Sequence, residues 1–489
     1  EDNGEESDVQ PEDLLPWENI FVPKEVARAL VEKGFSHPTE IQRLCIPAAI
    51  KGRRDLLGAA ETGSGKTLAF GIPIIFGIMK NLQSLEKDRD LGFAKGGRRG
   101  ADRLWALVLA PTRELAIQVK DHIEAAAKYT PVKVAVVVGG MSVEKQSRIL
   151  TKKRPHIVVA TPGRLWELIT TGEPHLADAH LVRYLAIDET DRMLEKDHFP
   201  ELRQLLERIN YADQTKGRRQ NFVFSATLTF VHDPPDHLKK KVCTGRHVKK
   251  LSSEQKLKDI MTLLGIADPK IVDVTKKTGT AAKLTESCIF CPADQKDTYL
   301  HYFLERHPGR TLVFCNSVAS VRRLTSLLNL LGAKPLPIHA NMHQRQRLNN
   351  LDRFRSNPRG VLLATDVAAR GLDIPDVQHV IHYQVPTTSE GYIHRSGRTA
   401  RAESEGLTLM LVEPAEVRYY TKICSTLDRA EDLPEFPVDS GGVSRARERV
   451  RYAREVDLLE MSVRKTSSSV AWMEKAANDM DMILDDDQL

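Results

Sequence analysis

The stretch Ala60-Glu61-Thr62-Gly63-Ser64-Gly65-Lys66-Thr67 reads as a phosphate cradle. Its glycines let backbone N–H groups approach phosphate oxygens, Lys66 reaches the β- and γ-oxygens, and Thr67 offers a hydroxyl to Mg²⁺. Downstream, an apolar run ending at Ile187 opens into Asp188-Glu189-Thr190-Asp191. Two adjacent carboxylates there suit a metal-holding Asp and a water-positioning Glu. Ser225-Ala226-Thr227 follows, and then His394-Arg395-Ser396-Gly397-Arg398-Thr399-Ala400-Arg401. Its arginines come more than 300 residues after the cradle, far enough to belong to another domain and reach a transferred phosphate as fingers. In that order the four stretches describe an ATP motor coupled to nucleic acid.

Around them, short apolar runs alternate with helical stretches: 104–110, 134–138, 156–160, 184–187 and 222–224, then 311–314, 361–364 and 377–382. Several are rich in Val and Ile, as parallel strands buried on both faces require. Alternation with helices predicts an α/β doubly wound parallel sheet, and the spread of the motifs predicts two of them in tandem. The small, polar stretch 276–283 reads as a linker. The expected organisation is an acidic tail at 1–16, a first lobe at 17–275 with an insertion at about 230–270, a second lobe at 284–432, and a helical extension at 433–489. In that extension 443–464 reads as a basic helix carrying Arg445, Arg447, Arg449, Arg451 and Arg454, with a second helix at 469–484.

The net charge of +5 understates the basicity of the body, because residues 1–16 hold seven acids and no Lys or Arg. A basic body fits a polyanionic partner. Six scattered cysteines fit a reduced, intracellular chain. Cys288 and Cys291 form a CxxC without a second ligand pair, so no zinc site is expected. The sequence shows no signal peptide and no apolar segment of membrane length, and a membrane partner is not expected. It begins at Glu1 and reads as a fragment.

Gly34-Phe35-Ser36-His37-Pro38-Thr39-Glu40-Ile41-Gln42, with Trp17 ahead of it, resembles the Q motif of DEAD-box RNA helicases. Pro111-Thr112-Arg113-Glu114-Leu115-Ala116, Gly139-Gly140 and Thr161-Pro162-Gly163-Arg164 resemble further signatures of that family. So do Val313-Phe314-Cys315-Asn316, Gln344 with Arg347, and Thr365-Asp366-Val367-Ala368-Ala369-Arg370-Gly371-Leu372-Asp373. The resemblance covers residues 17–432, and it is the fixed order of the motifs that makes it specific.

The resemblance implies two RecA-like domains and the following roles. Trp17, Phe35 and Gln42 sit at the adenine, and Gln42 selects ATP because an amide both donates and accepts. Thr62, Gly63, Ser64, Gly65, Lys66 and Thr67 hold the phosphates, while Thr67 and Asp188 hold Mg²⁺. Glu189 takes the proton of the attacking water. Arg398 and Arg401 are the fingers, typically worth about 10³–10⁵ in rate, and Asp373 contacts the ribose. Asp191, Ser225, Thr227 and His394 couple the ATP site to RNA. The RNA contacts are Arg113, Gly139, Gly140, Thr161 and Arg164 in the first lobe, with Asn316, Gln344, Arg347, Thr365 and Gly371 in the second. Hydroxyls, backbone N–H groups and arginines suit phosphate and sugar, so binding is expected to ignore sequence.

Two positions depart from the family pattern: Thr190 stands where Ala is usual and Ala400 where Gly is usual. Neither removes a charged group. The resemblance implies an ATP-dependent RNA helicase that separates strands locally. The tract Gly163-Arg164-Leu165-Trp166-Glu167-Leu168, the enlarged 230–270 segment and the tail resemble the branch acting on large ribosomal subunit precursors. That implies precursor ribosomal RNA, ribosomal proteins and assembly factors as partners, in the nucleus and nucleolus. The alternative from another class is an ATP-gated RNA clamp with negligible hydrolysis. A DNA translocase on the same core is disfavoured by the Q motif. The extra segments are expected to dock on the particle without serving catalysis, so deleting 443–489 would spare the ATPase.

Overall fold

A computed structural model describes residues 10–60, 63–90, 102–193, 200–210, 219–226, 261–262, 264–266, 268–275, 283–366, 377–400, 405–427, 429 and 431–479. Most of the 230–270 segment and of the candidate linker lies outside them, as does the acidic stretch up to residue 9. The described residues form two compact units, each built on one parallel sheet, as the alternation of strands and helices predicts.

The first sheet comprises β1 (Leu56–Ala59), β2 (Ala106–Leu109), β3 (Val134–Val137), β4 (Ile157–Ala160), β5 (Tyr184–Ile187), β6 (Gln220–Ser225) and β7 (Lys270–Asp273). Their order is β3-β4-β2-β5-β6-β1-β7, and every pairing is parallel. Successive side chains on a strand point to opposite faces. In β2, Ala106 and Val108 accordingly join one apolar core and Leu107 and Leu109 the other. Gly58 belongs in β1 because a Cβ there would come within 2.4 Å of the Phe224 ring on the neighbouring strand. Leu264 and Ile266, at the end of the 230–270 segment, enter the second of these cores, so that end is part of the fold.

The helix Lys66–Asp90 corrects one expectation. Within Lys66–Lys87 an 18-residue window reaches a mean hydropathy of 1.4, long and apolar enough to cross a membrane. Phe70, Ile74, Ile75 and Ile78 instead fill the core of the first unit. A helix buried on one side in a large sheet protein reaches this hydropathy without any lipid.

The second sheet comprises β8 (Leu284–Phe290), β9 (Thr311–Cys315), β10 (Leu336–Ile338), β11 (Val361–Thr365), β12 (His379–His382) and β13 (Gly406–Val412), ordered β10-β11-β9-β12-β13-β8. Cys288 lies in one core and Cys291 in another, on opposite faces of the sheet, so the CxxC cannot converge on one metal. Burial pushes both thiols up to about 11.

The tail departs most from the sequence reading. One helix spans Ser440–Asp479 where two were expected. The serine run between the expected pair holds no Pro or Gly, and Ser lowers helix propensity only modestly. Nor is the tail a solvated addition. Leu433 and Phe436 are buried in the unit's cores, and the backbone of 434–436 bonds to Cys288. Val443 and Ala446 pack on Tyr302, whose hydroxyl accepts from the Asp439 amide at 2.9 Å.

Asp297, 2% exposed, fixes this helix. It accepts from both terminal nitrogens of Arg323 at 2.8 and 2.9 Å, from the Tyr383 hydroxyl at 2.8 Å, and from Arg454 Nε of the tail at 3.0 Å. Burial works to raise the Asp297 carboxyl, but the two arginines outweigh it and hold it below its ordinary value. Arg449 pairs with Glu305. Two arginines of the expected basic helix, Arg449 and Arg454, therefore face carboxylates of their own unit. Arg454→Ala is expected to lower the stability of this unit by about 1–3 kcal/mol, the usual effect of losing hydrogen bonds to a buried charge. Deleting 443–489 is expected to cost more and to depress ATPase through unfolding, contrary to the sequence expectation. A urea midpoint unchanged by Arg454→Ala would contradict the anchoring role.

Candidate active site

In each parallel sheet the C-terminal strand ends open on one edge, where ligands bind in α/β folds. In the first unit β5, β6 and β1 are neighbours, and their ends carry Asp188, Ser225 and the cradle. The cradle turns back to β6 through Ala60 N, which donates to the Ser225 carbonyl at 3.2 Å. Gly63 and Gly65 have φ of 86° and 91°, a region that side chains rarely adopt. A Cβ on Gly65 would lie 2.4 Å from Gln42 Nε2.

Thr39 and Gln42 form a capping box at the start of helix Glu40–Ile50. Gln42 Oε1 accepts from Thr39 N at 2.9 Å, and Nε2 donates to the Gly65 carbonyl at 3.0 Å. One lone pair and one N–H remain on the amide for a base edge. Trp17 is buried, and its Nε1 donates to the Phe35 carbonyl at 2.8 Å, whereas Phe35 is 43% exposed. Trp17 thus holds the loop from behind, and Phe35 supplies its open apolar face.

Lys66 Nζ, buried, donates to the Ala60 carbonyl at 2.6 Å. Burial pulls its ammonium below the usual value, and Asp188, Glu189 and Asp191 oppose that pull. Burial likewise raises the Asp188 carboxyl to about 6, with Lys66 pulling it down and Glu189 pushing it up. Glu189 holds a backbone φ of 48°, and its amide donates to Asp188 Oδ1 at 2.9 Å. A non-glycine residue in this region stores about 1–3 kcal/mol of strain, which recurs at functional sites. Glu189 Oε2 and Ser64 Oγ are buried without hydrogen-bond partners among the described residues. An orphan carboxylate oxygen beside an orphan hydroxyl and a cationic amine fits a triphosphate with its metal and a water.

Thr190 contributes more than its sequence position suggested. Its hydroxyl lies 3.1 Å from the Ile187 carbonyl and 3.0 Å from the Phe224 carbonyl, tying the carboxylate turn to β6.

The neighbouring strands β3, β4 and β2 carry the first-unit RNA candidates on the same edge. The Arg113 guanidinium packs against Gly139, where a Cβ would meet it at 2.9 Å. Gly140 has φ of 77°. Thr161 begins the helix after β4, and its amide donates to Val137 of β3 at 3.1 Å. Arg164 Nε pairs with Glu167 at 3.1 Å, while its Nη1 is buried without a partner among the described residues.

In the second unit Asn316, Thr365, Gln344 and Arg347 follow or end the adjacent strands β9, β11 and β10. Arg395, absent from the sequence-derived site, is their organiser. It is 1% exposed, and it binds both oxygens of Asp366 at 2.5 and 2.7 Å, Asn316 Oδ1 at 2.6 Å and the Gln384 carbonyl at 2.8 Å. Its place inside the His394–Arg401 stretch is the sequence signal for it. His394 and Arg398 are buried, and Ala400 takes φ of 54°, the conformation that explains the family's usual Gly. Thr62, Thr227, Gly371, Asp373 and Arg401 lie outside the described residues.

The two sheets, the cradle and the paired carboxylates define a nucleotide hydrolase of the two-lobed helicase type. Comparison with known proteins agrees. The DEAD/DEAH box helicase model matches residues 39–233, and the helicase conserved C-terminal domain matches 295–403. The ATP-dependent RNA helicase DDX24 of Mus musculus is 43% identical over 98% of this chain and 68% of its own length. The ATP-dependent RNA helicase mak5 of Schizosaccharomyces pombe is 39% identical over 97% of this chain and 70% of its own. Among solved structures, Mss116p bound to single-stranded RNA and AMP-PNP superposes with a TM-score of 0.72 at 22% identity, over 91% of this chain and 84% of that one. The chain belongs to the DEAD-box family of ATP-dependent RNA helicases. It is an ATP-binding, RNA-dependent ATPase and helicase.

Proposed function

We propose that Lys66, Asp188 and Glu189 carry hydrolysis, with Arg398 and Arg401 supplied by the second lobe on closure. The observation that carries this reading is the buried, unpartnered carboxylate oxygen of Glu189 on a strained backbone beside Asp188 and Lys66. Lys66 neutralises the β/γ-phosphates, Gly63, Ser64 and Gly65 present N–H groups to them, and Glu189 takes a proton from the attacking water. Thr67 and Asp188 would hold Mg²⁺, which would supply charge neutralisation for the phosphates. Asp191, Ser225, Thr227 and His394 couple this chemistry to RNA, and Arg395 positions Asn316 for the strand. Closure bends one strand out of a duplex, and hydrolysis releases it. RNA-stimulated ATP turnover tests this reading; an RNA clamp would show none.

The raised Asp188 carboxyl gives this reading a pH signature. A carboxyl raised from 3.8 to about 6 binds its proton more tightly in the folded chain. Its stabilising contribution is therefore complete below pH 3.8 and is lost as pH rises through 6. Metal binding runs the other way, because it needs the ionised form. The Mg²⁺ concentration for half-maximal ATPase is expected to rise as pH falls below about 6, up to tenfold per unit. A Mg²⁺ requirement independent of pH across that range would contradict Asp188 as the ligand.

The proposed client is a precursor of the large ribosomal subunit in the nucleolus, with ribosomal proteins and assembly factors as protein partners. Support comes from the 163–168 tract, the 230–270 segment and the tail, and from relatives that match nearly the whole chain, tail included. With Arg449 and Arg454 bound to their own unit, the exposed apolar side chains Leu458, Leu459, Met461 and Val463 are offered as the tail's surface for a protein partner. Crosslinking the chain to cellular RNA and mapping the sites tests the client; sites confined to other RNAs would remove it.

A further inference from the structure

At the opposite edge of the first sheet, away from the cradle, lies a cavity of about 150 Å³. Tyr184 and Gln220, the first residues of β5 and β6, form its floor, and Arg53, Lys80 and Arg183 line it. None of the three cations has a carboxylate partner among the described residues, although the adjacent Arg54 pairs with Asp268 at 2.8 Å. Among the described residues no carboxylate lines the cavity.

The floor is built and held. Arg183 Nη1 donates to Asn81 Oδ1 at 2.7 Å, and Gln220 Nε2 donates to the carbonyls of Ala49 and Arg54 at 3.0 and 2.8 Å. Gly77 leaves room for the Tyr184 hydroxyl, which a Cβ would approach to 2.0 Å. Burial pushes the Tyr184 phenol up, while Arg53 and Arg183, which line the same cavity, pull it down. Arg183 shares the Trp105 ring with Arg103, the two guanidinium carbons standing 5.4 and 3.9 Å from its centroid. Two arginines on one buried tryptophan repel each other, and Arg103 Nε is itself buried without a hydrogen-bond partner among the described residues. An anion at the mouth of the cavity would offset that repulsion.

We propose that this cavity is a second nucleic-acid contact, taking a backbone phosphate of single-stranded RNA outside the segment held by the motif residues. The volume is several times a water's share of about 30 Å³, room for a phosphate with its first waters. Arg53 and Lys80 are exposed at the rim, so the anion can stay attached to a strand running across the surface. Trp105 is buried and offers no face to a base, so the contact reads charge and not sequence. This inference uses family membership alone and is independent of the roles proposed for Glu189 and the arginine fingers.

The test uses the full chain with Arg53→Asn, Lys80→Ala and Lys80→Glu. Asn tolerates the left-handed backbone of residue 53, where φ is 45°, and residue 80 is on a helix surface, so the fold is retained. Binding of labelled single-stranded RNA is measured against salt, for an oligonucleotide that fills only the motif site and for one several times longer. For the long RNA, each neutralising variant is expected to weaken binding several-fold and to flatten the log–log salt slope by about 0.7. Lys80→Glu should weaken it further, and the short RNA and the ATPase it stimulates should be unaffected. An unchanged slope with the long RNA overturns the proposal. So does an effect confined to inorganic phosphate, followed by Trp105 fluorescence, because that would make the cavity a small-anion site.

Discussion

Glu189→Gln is expected to leave ATP binding intact and to lower RNA-stimulated turnover by about 10²–10⁴-fold, the usual contribution of a general base. The amide keeps the shape and can still orient water, but it cannot accept the water's proton. Because reopening depends on hydrolysis, the variant should also release RNA more slowly when ATP is present. The orphan Oε2 and the φ of 48° make the position unforgiving, since the amide must sit on the same strained backbone. Turnover and RNA dissociation measured on one preparation check both halves. Wild-type turnover would remove Glu189 as the base.

Arg398→Ala is expected to have a comparable effect by a different route, lowering turnover by about 10³-fold or more while ATP still binds. The guanidinium stabilises charge that develops only in the transition state, so kcat falls with little change in nucleotide affinity. Arg398→Lys should rescue poorly, because a compact ammonium lacks the planar fork that meets phosphate oxygens. Arg398 is 1% exposed, so thermal denaturation must accompany the kinetics to separate a finger from a structural arginine. A stable Arg398→Ala chain with near-normal turnover would contradict the assignment.

The sequence carried the fold class because parallel strands buried on both faces concentrate Val and Ile into short runs, as β3 and β4 do. Strands without that signature escaped. β1 is Leu-Leu-Gly-Ala, with no β-branched residue and a glycine set by the Phe224 ring. β10 is three residues with a proline at its centre, tolerable only at a sheet edge. β13 is rich in Leu and Met, which read as readily for a helix.

The site was legible where chemistry demands a residue type at a fixed spacing, as in the cradle and the paired carboxylates. Positioning was not. That Trp17 works from behind its loop, that Thr190 ties the carboxylate turn to β6, and that Arg395 binds Asp366 and Asn316 are tertiary facts. The tail's anchoring is hidden for the same reason: nothing in a stretch of five arginines shows that Asp297 and Glu305 stand opposite two of them.

The most direct measurement is steady-state ATP hydrolysis by this chain with Mg²⁺, alone, with single-stranded RNA and with DNA of the same sequence. The geometry at Lys66, Asp188 and Glu189 predicts turnover, and membership of the RNA helicase family predicts that it is slow alone, strongly stimulated by RNA and little by DNA. Hydrolysis that is absent under all three conditions, or that DNA stimulates as well as RNA does, would contradict it.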